Sequence, residues 1–325
     1  MGRDGATRSM AIFPFFTGCA RSGTTLVRAI FSSHPEMAIP DETHYFSQML
    51  NKPERYESAK GFVTETFLAD LLSHPLFPRW VLPEEQVRQA LISPSTASYA
   101  DAVRRVYALY AQRKGKQRYG DKTPHNIINI SRLATIFPEA SFIHIIRDGR
   151  DVAMSLMDRR WGAAGVVKAS RFWRDRVRRG RDAGQQIGAD RYMEIRYERL
   201  IEDTEAVVRS MCSFIELEFD PEMLRYYEQT DRLFDGRPGR PRVPGHSHLY
   251  LPPTKGLRDW RSQMSRADVD LFELVAGDLL DELGYERGGG RPSLWIRATA
   301  AFQRARGARD FFAQRVLRRA GLDAR

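Results

Sequence analysis

Hydrophobic positions in this chain fall into short, separated runs whose spacing alternates between that of strands and that of helices. Residues 12–16 form an apolar run closed by Gly18, the pattern of a buried strand. A turn rich in Gly and Thr follows, then Leu26, Val27, Ile30 and Phe31 at helical spacing. That helix is expected to end at Ser33-His34-Pro35, because proline disfavours helix at the residue before it. Residues 37–39 read as a brief strand stopped by Pro40, which completes a βαβ unit. Residues 45–115 read as mainly helical, punctuated by Pro53, Pro75, Pro78, Pro83 and Pro94. Strand patterns resume at 118–120, 141–146 and 192–196, and helical patterns lie over 125–137, 151–157, 168–180 and 203–214. Alternation of this kind predicts an α/β fold: a parallel β-sheet of about five strands flanked by helices on both faces, with helical insertions. Residues 236–245, rich in Gly and Pro, predict a surface loop. Ser265 opens a last core helix with Leu271, Leu274, Val275 and Leu279 on one face and Gly284 beyond its end.

Composition narrows the class. An apolar fraction of 42% and a charged fraction of 28% are those of a globular protein, and no stretch reaches the ~20 apolar residues of a membrane span. The opening MGRDGATRSM lacks the apolar core of a secretion signal, and Ala6 breaks the myristoylation pattern. Cys19 and Cys212 are too few for a disulfide framework. The expected location is the cytoplasm. A net charge of +10 raises nucleic acid as a partner, but nine arginines against two aspartates put +7 of it in residues 291–325. The expected organisation is one catalytic domain over 1–287, with 45–115 as an acceptor-side helical insertion, and a glycine-linked basic tail over 288–325.

The chemistry begins at Gly18-Cys-Ala-Arg-Ser-Gly-Thr-Thr25, which has G-x4-G spacing and joins a strand to a helix. Such a turn directs backbone N–H groups and the positive helix end at an anion, so the fold is expected to be P-loop-like. A nucleoside triphosphatase would carry Lys after the second Gly; Thr24 stands there instead and the cation is Arg21, inside the loop. Cys19 reads as a packing residue, since a Cys-x5-Arg phosphatase loop needs Arg where Thr25 stands.

In parallel α/β sheets ligands bind beyond the carboxyl ends of the strands. Those ends carry Asp41-Glu42-Thr43-His44, Asp121-Lys122-Thr123, Arg147-Asp148-Gly149-Arg150 and Tyr197-Glu198. One rim would gather the loop, an acid, a lysine and several arginines, a set suited to moving an anionic group onto a nucleophile that loses a proton.

The run FFTGCARSGTTLVRAIFSSHP closely resembles the 5′-phosphosulfate loop of sulfotransferases that use 3′-phosphoadenosine 5′-phosphosulfate (PAPS). The likeness extends in order over about residues 12–285 and is weak over 45–115 and 157–190. It implies that Gly18, Arg21, Ser22, Gly23, Thr24 and Thr25 hold the 5′-phosphosulfate. FIHIIRDGRDVAMSL resembles the 3′-phosphate motif, which implies Arg147 and Ser155 as its ligands. DETHYF resembles the Glu-x-His-Phe-Phe element of heparan sulfate sulfotransferases, whose Glu is the general base, and implies Glu42 for that role with His44 beside it. GDKTP resembles the element whose Lys, here Lys122, assists the leaving group. Tyr197-Glu198 resembles the adenine-contacting segment, and Lys255-Gly256…Trp260 a C-terminal element over the 3′-phosphate, though Thr254 replaces the Arg that usually precedes it. His125 follows Lys122 by three, where cytosolic members place a catalytic His two after it, so Glu42 is preferred as base.

The expected reaction is in-line transfer of a sulfuryl group from PAPS to a hydroxyl or amine of a glycan, lipid or small metabolite, with Arg21 and Lys122 stabilising the leaving oxygen and no metal required. The alternatives are a P-loop kinase or triphosphatase, and a non-enzymatic basic adaptor bound to RNA or membrane through the tail. In that tail Trp295, Ala298, Phe302, Ala305, Phe312, Val316 and Ala320 share one helical face and most arginines lie elsewhere. It reads either as a helix for the inner, anionic membrane surface or as one packed on its own domain or a second subunit, a homodimer included. Aromatic and arginine residues over 157–181 suit an acidic acceptor site, or simply an amphipathic helix with a solvated basic face.

Overall fold

The computed structural model describes residues 11–289 apart from 50–52, 59–60, 93–95, 160–161, 232–246 and 257. The 236–245 loop and the 291–325 tail therefore lie outside the described residues. Two compact units are present: one takes the chain through Arg147 and from Arg179 to Lys255, the other Asp148–Arg178 and the chain from Gly256.

The first unit is built on β1 (Phe13–Gly18), all six residues of which are buried. Then follow α1 (Thr24–Ser33), β2 (Met37–Ala38), α2 (His44–Met49), the small hairpin β3 (Glu57–Ser58) and β4 (Gly61–Phe62), α3 (Thr64–Ser73), α4 (Glu84–Leu91), α5 (Tyr99–Arg113), β5 (Arg118–Tyr119), α6 (Ile130–Ile136) and β6 (Ala140–Ile146). Beyond α7 (Gly149–Met157) and α8 (Val166–Ile187), which the unit boundary interrupts, come β7 (Tyr192–Arg196), α9 (Tyr197–Glu202) and α10 (Thr204–Phe214).

The main sheet is parallel and has three strands in the order β1-β6-β7. The expected count of about five is corrected here. β2 and β5 are two residues each, too short to extend the ladder, and form their own parallel pair. They join β1 through a single parallel bridge, Phe15 to Asp121, in which Phe16 N–H donates to Asp121 O at 2.8 Å and Asp121 N–H to Pro14 O at 2.9 Å. All five strand ends nevertheless point the same way.

Alternation along the strands explains why helices cover both faces. Phe13 and Phe15 of β1, level with Ala140 and Phe142 of β6, enter a core completed by α2 to α6. Phe16, Ile143 and Ile145 point oppositely, into a core made with α1 and α10. A fully buried aromatic contributes about 1.5–3 kcal/mol, so both cores hold the sheet firmly. α1 stops at Ser33, and His34 turns extended before Pro35. Lys116 Nζ then donates to Ser32 O, His34 O and Met37 O at 2.6, 2.9 and 3.1 Å, fastening the helix end to β2.

The second unit centres on Arg150, which has no exposed surface. Its guanidinium binds Asp148 at 2.8 Å, Glu273 at 2.7 Å and the Glu286 carbonyl at 2.7 Å, and lies 3.5 Å from the centre of the Trp260 ring. Glu273 belongs to the helix Arg266–Glu282, the last core helix foreseen from Ser265, whose hydroxyl accepts from Asp268 N–H.

Candidate active site

Every chemical group of interest in the first unit lies just past a strand, where the extended chain turns. After β1, the loop reverses through Arg21, whose backbone is left-handed at φ 76°, and Gly23, at φ 97°. Few residues other than glycine adopt that conformation. α1 opens at Gly23 with no side-chain cap and no acid in its first turn, so its N–H groups and dipole face outward. The Ser22 hydroxyl is buried with no hydrogen-bond partner. Side chains are excluded here: a Cβ on Gly18 would lie 2.5 Å from Ile145 O, and one on Gly23 would lie 2.3 Å from the Tyr197 ring. The loop is a closely fitted backbone cradle with an orphaned hydroxyl donor, which fits a phosphate or sulfate.

Tyr197, at the end of β7, carries the Arg147 guanidinium 4.6 Å from its ring centre. Three neighbouring strand ends, β1, β6 and β7, thus converge through Gly23, Tyr197 and Arg147.

The ends of β2 and β5 make a second cluster. Lys122 Nζ donates to Glu42 Oε1 at 2.6 Å, and His44 Nε2 pairs with Glu42 Oε2 at 2.9 Å. Lys122 is almost wholly buried, whereas the Glu42 and His44 side chains are about one-third exposed, at 35% and 38%. Burial acts to raise the Glu42 pKa, but the Lys122 charge and the hydrogen bonds from His44 and Lys122 outweigh it and hold the carboxyl well below the usual carboxylate range. Glu42 is therefore ionised, and part of its side chain is open to solvent. His125 is exposed, its ring centre 6.4 Å from that of His44. Among the described residues no group of three or more His, Cys, Asp and Glu side chains could hold a metal ion.

Residues 14–221 match the model of the sulfotransferase family, well over half of the chain. The chain belongs to the sulfotransferase family. It is 24% identical over 298 residues to a protein-tyrosine sulfotransferase of Drosophila melanogaster, covering 87% of this chain and 54% of the relative. The chain thus spans about half the length of the first curated relatives it matches. Among solved structures it resembles the sulfotransferase domain of the Synechococcus PCC 7002 olefin synthase, with TM-score 0.54, 25% identity, and 84% and 94% of the two chains covered. The sulfotransferase domain of the curacin biosynthetic pathway shares the fold, with TM-score 0.51, 19% identity, and 85% and 99% covered.

Of the site residues expected from the sulfotransferase motifs, the structure joins Glu42, His44 and Lys122 in one cluster and Gly23, Arg147 and Tyr197 in another. Lys255 is exposed and paired with Glu202 at 3.0 Å. Ser155, buried on α7, and Gly256, at φ 75°, belong to the second unit. Arg150, expected on the rim, is instead consumed inside that unit. The arginines of α8 are partly spoken for as well: Arg174 binds Asp175 and Val275 O, Arg178 binds Asp278, and Trp173 is fully buried. Motif reading missed Thr43, Tyr107, Thr123 and Asn126, which surround the buried Asp121 carboxyl.

Proposed function

We propose that this sulfotransferase takes its sulfuryl group from PAPS and transfers it to a hydroxyl, phenol or amine, with Glu42 as general base. The observation that carries the reading is the Glu42–Lys122 pair at 2.6 Å, set just past β2 and β5, the latter bonded through Asp121 to β1, the strand that feeds the phosphate loop. PAPS supplies an activated sulfuryl group whose departure leaves charge on an oxygen of the 5′-phosphate. The loop N–H groups, the Ser22, Thr24 and Thr25 hydroxyls and Arg21 would hold that phosphate, while Lys122 neutralises the charge developing on it. Arg147 would hold the 3′-phosphate and Tyr197 the base. Glu42, kept ionised, accepts the proton of the attacking group, a contribution of about 10²–10⁴-fold. Because the chain aligns with relatives named for protein tyrosine, a tyrosine phenol is one acceptor to test; glycans, lipids and small metabolites are others.

Calorimetric titration with adenosine 3′,5′-bisphosphate and, separately, with ATP tests the donor. The expected result is saturable binding of the bisphosphate and much weaker binding of ATP. Preference for ATP would replace this reading with a kinase or triphosphatase, and binding of neither with a non-enzymatic role.

A further inference from the structure

The segments bearing the catalytic pair each have a second, inward set of residues. Thr43 sits between Glu42 and His44; Asp121 and Thr123 sit on either side of Lys122. In extended chain, neighbours point to opposite sides. Thr43, Asp121 and Thr123 are all buried, at 1%, 1% and 0% exposure. The Asp121 carboxyl gathers them. Its Oδ2 accepts from Thr43 Oγ1 at 2.6 Å, Tyr107 OH at 2.7 Å and Thr123 Oγ1 at 3.0 Å, and its Oδ1 accepts from Asn126 Nδ2 at 2.8 Å. Thr123 Oγ1 also accepts from the Thr43 backbone N–H at 2.8 Å. On the main chain, Asp121 is bonded twice to β1.

Resting on the reading of Glu42 and Lys122 as the catalytic pair, we infer that Asp121 is a positioning residue: its carboxyl locks the turn after β2 to the turn after β5 and thereby sets the spacing of that pair. Four donors converge on the carboxylate, three on Oδ2 and one on Oδ1, and a buried donor that loses its partner is costly, so neither turn slips without breaking the set. Tyr107 brings α5 into the same lock, and the two backbone bonds extend it to the strand that carries the phosphate loop.

Thr43→Val keeps the shape of the side chain and removes its donor, and Thr43→Ser restores the donor. Single-turnover conversion of PAPS, with water as the acceptor, gives the rate, and adenosine 3′,5′-bisphosphate titration gives donor affinity. Thr43→Val is expected to slow turnover at least ten-fold, with bisphosphate affinity within about two-fold of wild type, and Thr43→Ser to recover most of the rate. Asp121→Asn, which keeps the volume but turns one acceptor oxygen into an NH₂ donor, is expected to show the same split. A wild-type rate in Thr43→Val overturns the inference, as does parallel loss of rate and affinity in both variants. Glu42→Gln separates the two levels. If it turns over PAPS as fast as wild type, the catalytic reading falls whatever Thr43 does; if it is slow while Thr43→Val is fast, only the positioning role falls.

Discussion

Two side chains at the strand ends lead to separable measurements. Arg147 lies on the Tyr197 ring, and a guanidinium held that way can meet a phosphate with a charge-assisted pair of hydrogen bonds. Arg147→Ala is expected to weaken adenosine 3′,5′-bisphosphate ten- to hundred-fold, the equivalent of losing about 1.5–3 kcal/mol, and 5′-AMP only a few-fold. Equal losses in calorimetry would detach Arg147 from the 3′-phosphate. Glu42 makes a prediction about pH. Its folded pKa is depressed, so it stays a carboxylate through its ordinary titration range near 4.5. The rate profile of the wild-type enzyme is therefore expected to lack an acid limb near 4.5. In Lys122→Met, burial remains while the opposing charge is gone, so the Glu42 carboxyl is expected to titrate at clearly higher pH by carbon NMR. An unmoved titration would mean that Lys122 does not hold the base ionised.

β6 carries a different titrating group. His144 is fully buried in it, with Nδ1 2.6 Å from Tyr192 OH on β7, whose hydroxyl also reaches Glu194 at 3.0 Å. Burial, helped by the nearby Arg181 charge, pushes its pKa down to about 3. Between pH 6.5 and 3 the unfolded chain takes up a proton that the folded strand refuses, so stability falls as pH falls through that window, by up to about 1.4 kcal/mol per unit. Denaturant titrations at pH 7, 6 and 5 are expected to show this slope in the wild type and a shallower one in His144→Leu; identical slopes would locate the acid sensitivity elsewhere. The element scale is also where the sequence was most readable. The runs that became β1 and β6 stood out because each is an apolar stretch between turn signals, β7 was read from the mixed run YMEIR, and Glu42, Lys122 and Arg147 could be picked as candidate site residues simply for following a strand. β2 and β5 were legible as strands but not as a separate pair, since two-residue segments carry no period from which pairing can be read. Asp121 and Thr43 were invisible as partners for the same reason: they lie 78 residues apart, and only the registered backbone brings them together. Arg150 misled because an arginine after a strand looks alike whether it faces solvent or the interior.

At the scale of the whole molecule, its second unit depends on that arginine. Arg150 neutralises Asp148 and Glu273, caps the Glu286 carbonyl and packs on Trp260, while Gly149 beside it is so tightly covered that a Cβ would lie 2.4 Å from Trp173. Removing the cation takes a close ion-pair partner from two largely buried carboxylates, of which Glu273 keeps a longer pair with Arg287 at 3.9 Å, a loss of about 3–5 kcal/mol. Arg150→Ala is expected to lower the denaturation midpoint accordingly, followed by fluorescence of Trp173 and Trp260. Arg150→Lys is expected to recover little, because an ammonium cannot reproduce the planar fork. A variant as stable as wild type would show that the unit is held by its apolar contacts alone.

If Glu42 and Lys122 act as proposed, their resting contact would give the reaction a direction in time. One ammonium would then have two claimants, the carboxylate beside it and the anion of the proposed donor. While the donor is away the base would be tethered, and a solvent molecule or an early acceptor would find a carboxylate already engaged. Arrival of the donor would draw the ammonium toward the phosphate and release the carboxylate just when there is something for it to do. On the proposed roles a queue would follow: donor first, nucleophile second, with the lysine as the turnstile between them.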